Sequence, residues 1–350
     1  MKRNNPTATD KGCPDPPGQP FHSAAARWAD RLRQIDYNAL PISPYNKRYI
    51  HAMRPFLDYY LEIFAHCLAC GLKATGLEPS GLTLVDYGGG SGFLSILAKA
   101  IGFAQVIYID RNPLSVDTVK ALKQQTGSGP DVILSGDADT LLAYCRAQEL
   151  RPHLLIATDL IEHVYNPAGF LNVLCTINPR MPLIFTTAST PFNPWVKHRL
   201  HRFMNDCEWG RTTGCGYLSR REAFIRRYAP HFSPKETALW AGRTRGMIYE
   251  DIQKAIDAAS LPVPADAHNT CDPETGNWAE RILPIRDYRR FLSPHAYTLS
   301  VGKGFYNTRR RSLLWGLCCR LLNGLIRHGG RAGLLLSPFI VLCCRPPQAR

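Results

Sequence analysis

Between residues 82 and 187, five short and largely apolar runs alternate with segments of helical period. No other feature constrains the fold as strongly. The runs fall at 82–87, 104–109, 131–134, 153–157 and 183–187. They are rich in Val, Ile and Leu, which suits strands buried on both faces. Between them, at 92–101, 113–125, 140–149 and 166–177, apolar residues recur at helical spacing. Strands separated by helices over about 105 residues predict a parallel, doubly wound α/β sheet.

The flanking segments extend this frame. Residues 1–20 are polar and rich in Pro, Asn and Gly, and read as a disordered leader. Residues 21–80 are largely helical and rich in aromatics, a helical cover that ends at the breaker Glu78-Pro79-Ser80-Gly81. The catalytic core is expected over 81–189. Residues 190–245, with His, Arg and aromatics and no clean period, read as an inserted lid. In it, Ser219 and Glu222 have the spacing of a helix-capping pair. The remainder, 246–350, supplies a helix at 246–259, strands at 297–306 and 334–344 and a basic amphipathic helix at 311–327. The predicted whole is a Rossmann-like, mostly parallel sheet of seven strands.

The connection after the first run reads VDYGGGSGFLS at 85–95. A dinucleotide site needs a third glycine three positions after the second, but Phe93 or Ser95 stands there, depending on the register. A phosphate-binding P-loop would need Gly-Lys-Ser/Thr, which is missing. What remains is Asp86 followed by Gly88, Gly90 and Gly92. Glycine permits close backbone approach to a ligand, and a carboxylate suits a ligand with a cationic end. Three further signals end strands, where doubly wound sheets bind ligands. They are Asp110, followed by Arg111; Asp137 and Ala138; and TDLIEHVYNP at 158–167, which carries Asp159, Glu162 and His163.

Taken in order, these four signals resemble the class I S-adenosylmethionine-dependent methyltransferases. The last is similar to the post-strand segment of the ubiquinone-biosynthesis-like small-molecule group. The resemblance covers residues 55–190 well. It implies S-adenosyl-L-methionine as cofactor, with the three glycines giving close backbone approach and Asp86 supplying charge near its methionine end. Asp110 would meet the ribose, Asp137 the adenine amino group and Ala138 the ring, and Arg111 and Asp159 are further expected cofactor-binding residues.

Methyl transfer is an in-line displacement, so alignment dominates, and an oxygen acceptor must also lose a proton. His163 and His198 are the candidate bases; His198 and His201 share a helix face if that segment is helical. Asp159, Glu162 and His163 offer three ligands for a divalent ion, but no fourth is evident, and no metal is assigned. The expected activity is methylation of oxygen, with carbon second, on a small molecule, sugar or lipid-linked precursor. RNA ribose methylation and non-catalytic cofactor binding are the competing readings. The motif for amino methylation of a base is absent after the fourth strand, so nucleic acid is the less favoured partner.

Charge and cysteines refine the setting. The net charge is +14, and the last 63 residues hold eleven Lys or Arg and no Asp or Glu. Such a tail suits anionic lipid, nucleic acid or a phosphorylated substrate, and equally a solvated basic face. The apolar face of the helix at 311–327 is expected to pack on the sheet between the two late strands, with peripheral contact with an anionic membrane as the alternative. No apolar stretch approaches the ~20 residues of a spanning helix, and the N-terminus lacks a signal-peptide pattern. The expected location is cytoplasmic, with peripheral contact at the inner face of the membrane. Cys67 and Cys70 form a CxxC without a second pair at zinc spacing, so the twelve cysteines read as reduced thiols.

Overall fold

The computed structural model describes residues 19–211, 214–309 and 312–347. Nine strands are seen: β1 (Thr83–Tyr87), β2 (Gln105–Asp110), β3 (Val132–Ser135), β4 (Leu154–Thr158), β5 (Leu183–Thr187), β6 (Thr270–Cys271), β7 (Trp278–Glu280), β8 (Thr298–Lys303) and β9 (Ile340–Arg345). The helices of the first half are α1 (Gln19–Arg33), α2 (Pro44–Met53), α3 (Leu57–Thr75), α4 (Phe93–Ile101), α5 (Pro113–Thr126), α6 (Ala138–Ala147) and α7 (Pro167–Ile177). Those of the second half are α8 (Pro194–Trp209), α9 (Tyr217–Tyr228), α10 (Pro234–Arg243), α11 (Tyr249–Asp257), α12 (Ile285–Leu292) and α13 (Leu313–His328).

Seven strands form one sheet in the order β3-β2-β1-β4-β5-β9-β8. The first five pair in parallel, whereas β9 is antiparallel to both neighbours. The predicted seven-stranded, mostly parallel α/β sheet is therefore present. Successive side chains of each strand enter opposite faces. Leu84, Leu154, Ile156, Ile184 and Val341 face a layer made of α1, α3 and α4. Val85, Leu155, Leu183, Phe185 and Leu342 face a layer made of α6, α7 and α12. Residues 21–80 thus belong to the main core.

Five helices open on one local rule. Ser43-Pro44, Asn112-Pro113, Asn166-Pro167, Asn193-Pro194 and Ser233-Pro234 each set a side-chain N-cap beside a proline in the first turn. The cap oxygen satisfies an amide that the helix leaves unpaired, and proline has no amide there to satisfy.

Three differences from the sequence reading matter. The leader assigned to 1–20 lies outside the described residues except for Gln19 and Pro20, which begin α1. Ser219 does not cap α9: the helix starts at Tyr217, and Ser219 donates to Gly216 O at 2.8 Å from within the first turn. Gly216 fixes that start, because a Cβ there would come within 2.3 Å of Glu208 O. The capping box of this region is Ser233 with Glu236. Finally, α11 packs with α9 and α10 around Ile225, Ala241 and Ile252. That sets α11, read from the sequence as part of 246–350, against helices of the segment read as a lid.

Candidate functional site

Gly88, Gly90 and Gly92 all have positive φ, at 66°, 53° and 72°. This is the left-handed region that glycine enters without penalty. A Cβ on Gly88 would come 2.0 Å from Leu160 Cδ1, and one on Gly92 would come 2.8 Å from Val119 Cγ2. On Gly90 it would meet open space. The turn is thus pressed against the protein at two glycines and open at the third.

Two carboxylates hold this turn. Asp86 is buried and accepts from Ser95 N at 3.0 Å and Ser95 Oγ at 2.6 Å. Burial pushes its carboxyl up to about 7 despite those bonds. It fastens the start of α4 and lines neither cavity of the site, so any influence on a bound ligand is indirect. Asp110, at the end of β2, accepts from Gly90 N at 3.0 Å and Asn112 N at 2.8 Å. Its carboxyl is also raised by burial, against the pull of those amides. Tyr108 Oη donates to Gly90 O at 2.7 Å and ties the turn down from below.

Two cavities meet at Gly88. The first, about 570 Å³, is bordered by Asp110, Arg111, Asp137, Ala138 and His163. Asp137 doubles as the N-cap of α6, accepting from Thr140 N. Residues 275–277, from the β6–β7 connection, line the opposite wall. The second, about 550 Å³, is bordered by Gly88, Gly90, Asp159 and Arg199 and walled by aromatics that include Tyr49 and Tyr60. A wider space of about 720 Å³ lies under the inserted segment, away from the glycine turn.

Asp159, already singled out in the sequence, has an unusual backbone. Its φ of 55° is left-handed for a residue with a Cβ, a conformation that costs of order 1 kcal/mol and recurs at ligand sites. Its amide is held by Thr186 O at 3.1 Å. Its charge helps raise the phenols of Tyr49, up to about 12, and of Tyr60, although burial is the main cause in both. Behind it, Glu162 is fully buried, and neither carboxyl oxygen has a hydrogen-bond partner of ordinary geometry. Burial, then Asp159 and Glu280, hold Glu162 well above the usual carboxylate range. Glu280, on β7, accepts from Ser189 Oγ at 2.5 Å and is likewise raised by burial. Among the described residues, no group of three His, Cys, Asp or Glu side chains is arranged to hold a metal ion. That holds for Asp159, Glu162 and His163, and for Cys67 and Cys70, which are buried on α3.

The two histidines part company. His163 Nδ1 donates to Trp278 O at 2.8 Å, leaving Nε2 for the first cavity. His198 is a correction to the sequence reading. It is exposed on α8 and lines neither cavity. Val196 and Leu200 bury the other side of the helix and turn His198 outward. Arg199, one residue on, reaches the second cavity. His201 stacks on His268 with ring centroids 3.8 Å apart. Sequence reasoning missed Tyr49 and Tyr60. Tyr49 arrives because Asn46 Nδ2 donates to Leu114 O and Thr118 Oγ1, both at 2.7 Å, which seats α2 on α5, whereas Tyr60 comes from the first turn of α3.

No protein-family model matches the chain. It is 30% identical over 149 residues to a ribosomal protein L11 methyltransferase of Vibrio vulnificus, covering 40% of this chain and 46% of that relative. A ribosomal protein L11 methyltransferase of Symbiobacterium thermophilum is 36% identical over 74 residues, which is 19% of this chain and 24% of the relative. The chain thus spans less than half the length of these curated relatives. Among solved structures, an S-adenosylmethionine-dependent methyltransferase of Mesorhizobium loti is similar at 12% identity and a TM-score of 0.36, over 80% of this chain and 97% of that one.

Proposed function

We propose that the chain transfers a methyl group from S-adenosyl-L-methionine to an oxygen, or secondarily a carbon, of a small or lipid-linked acceptor. One arrangement carries this reading: the open glycine turn, with Gly90 N donating to Asp110, lies between two cavities that meet at Gly88. The residues fit the cofactor. Gly90 leaves room where a side chain would intrude. Asp110 suits vicinal ribose hydroxyls, and Asp137 with Ala138 suits the base. When bound, the cofactor supplies an electrophilic methyl group.

The protein's part is alignment, exclusion of water and handling of one proton. Asp159 borders the second cavity beside Gly88, which supports it as the group that takes a proton from an acceptor hydroxyl. Arg199 supplies positive charge in the same cavity. His163 borders the first cavity, and that favours a cofactor-side role over that of base. A second reading, methylation of a protein, is favoured by the names of the curated relatives.

Calorimetric titration tests the cofactor. S-adenosylmethionine should bind in the micromolar range, NADH should not, and Asp110→Ala should abolish the signal. Binding of NADH, or undiminished binding by the variant, would overturn the assignment.

A further inference from the structure

The helix α13 joins β8 to β9 and packs through one narrow face. Gly316, Cys319 and Ile326 are buried, and Asn323 is half-buried. At about 100° per residue, Leu314, Leu317, Leu321 and Leu325 form a stripe roughly opposite that face. These leucines are 77%, 54%, 64% and 59% exposed, and Leu313 beside them is 90% exposed. Exposed Arg320 and Arg327 stand on one flank, about 110° from the stripe, and Trp315 stands on the other. A contiguous apolar row of this kind needs a partner, whereas scattered surface apolars do not.

We propose that α13 lies in the plane of an anionic lipid surface, with its leucine stripe among the acyl chains and its arginines at the headgroups. Charge selects this occupant. Residues 288–350 carry eleven Lys or Arg and no acidic side chain, so nothing in that stretch repels an anionic surface. Arginine stems can lie along the apolar boundary while the guanidinium groups reach phosphate, and tryptophan favours the same depth. No helix among the described residues is long and apolar enough to cross a membrane. A helix of this length with one apolar face suits lying in the interface.

The helix is also clipped to the second cavity. Tyr306 N donates to Asn323 Oδ1 at 2.7 Å, and Asn323 Nδ2 returns a bond to Tyr306 O at 2.9 Å. Tyr306 and Asn307, just before α13, and Pro338 and Phe339, just after it, all line that cavity. A lipid surface touching the outer stripe of α13 therefore lies about one helix diameter, ~10 Å, from the residues that wall the cavity. The corollary, which rests on the proposed methyl transfer, is that the acceptor is an amphipathic molecule drawn from that surface.

Flotation of the full chain with vesicles tests the proposal. Phosphatidylcholine vesicles containing about one-third phosphatidylglycerol should carry the protein upward, and pure phosphatidylcholine vesicles should not. Salt should weaken the capture. The double substitution Leu317→Glu and Leu321→Glu, at exposed positions, should reduce it about tenfold or more and leave the circular dichroism and S-adenosylmethionine titration unchanged. Absence of flotation, equal capture by neutral vesicles, or equal capture of the variant would each overturn the proposal. A dimer that the double variant dissolves, without vesicle binding, would assign the stripe to a second copy. Failure of cofactor titration in both proteins would overturn the proposed function and leave the flotation result standing.

Discussion

Arg221 of α9 and Glu208 of α8 form an ion pair that solvent barely reaches. The Arg221 guanidinium donates to Glu208 Oε1 at 2.5 Å and to Ala241 O at 3.0 Å. Thr270 Oγ1 donates to Glu208 Oε2 at 2.7 Å. One carboxylate thus joins α8, α9 and the hairpin whose tip borders the first cavity. Removing one partner of such a pair leaves a buried charge, which typically costs about 3–5 kcal/mol. Arg221→Ala should lose roughly that much in denaturant unfolding. Arg221→Met combined with Glu208→Leu should lose far less, because neither charge is then stranded. Equal losses would show that packing, and not charge, dominates there.

Gly88 and Gly76 have nearly the same φ, at 66° and 69°, but different surroundings. A Cβ on Gly88 would collide with Leu160, whereas one on Gly76 would touch nothing within 4 Å. Each alanine substitution should cost about 1 kcal/mol for the backbone. Gly88→Ala alone should also weaken S-adenosylmethionine binding by at least about tenfold, which corresponds to ~1.4 kcal/mol. Calorimetry on both variants separates backbone strain from displacement of the turn by Leu160. Intact binding by Gly88→Ala would remove this glycine from the site.

The Asp86 carboxyl rises from 3.8 to about 7 on folding. Its protonated form is therefore favoured in the folded state. The stability it contributes is full below pH 3.8 and falls as pH rises towards 7, because the unfolded chain ionises first. At about 1.4 kcal/mol per unit, the upper bound on that loss is ~4 kcal/mol. Asp86→Asn keeps an acceptor for Ser95 and removes the titration. Between pH 4 and 8, its stability should fall less steeply than that of the parent. Parallel pH profiles would mean that Asp86 titrates normally.

Asp159→Asn separates two roles at one position. If the carboxylate takes a proton from the acceptor, kcat should fall about 10²–10⁴-fold, while S-adenosylmethionine affinity changes little. If it instead anchors the cofactor, Kd should rise and kcat at saturation should hold. An unchanged kcat would refute the base assignment.

Much of the core was legible because both sheet faces are covered. That condition makes residues 106–109 and 154–157 continuous apolar runs, and it brings Asp110 and Asp137 to the C-terminal ends of strands. The helices after β5 were harder to read. In α8 the buried stripe is Val196, Leu200 and Met204, while Trp195, Phe203 and Trp209 on the outside blur its period. The Asn193-Pro194 start was a usable local signal. Helical spacing correctly put His198 and His201 on neighbouring turns, but spacing alone cannot say which face meets the sheet. Nothing local could reveal Tyr49 in the second cavity, because its position depends on Asn46 reaching residues 68 and 72 positions away.

The place of β9 has a consequence for how the chain is made. The strand lies between β5 and β8, yet it follows both in sequence. On the ribosome, β5 must wait with one edge unpaired until more than 150 further residues have been synthesised, from Thr187 to Ile340. Once made, β8 also has no neighbour in the sheet until β9 follows. A nascent chain stalled before Ile340 would therefore carry two open edges, and it is there that chaperones, or aggregation, would find it.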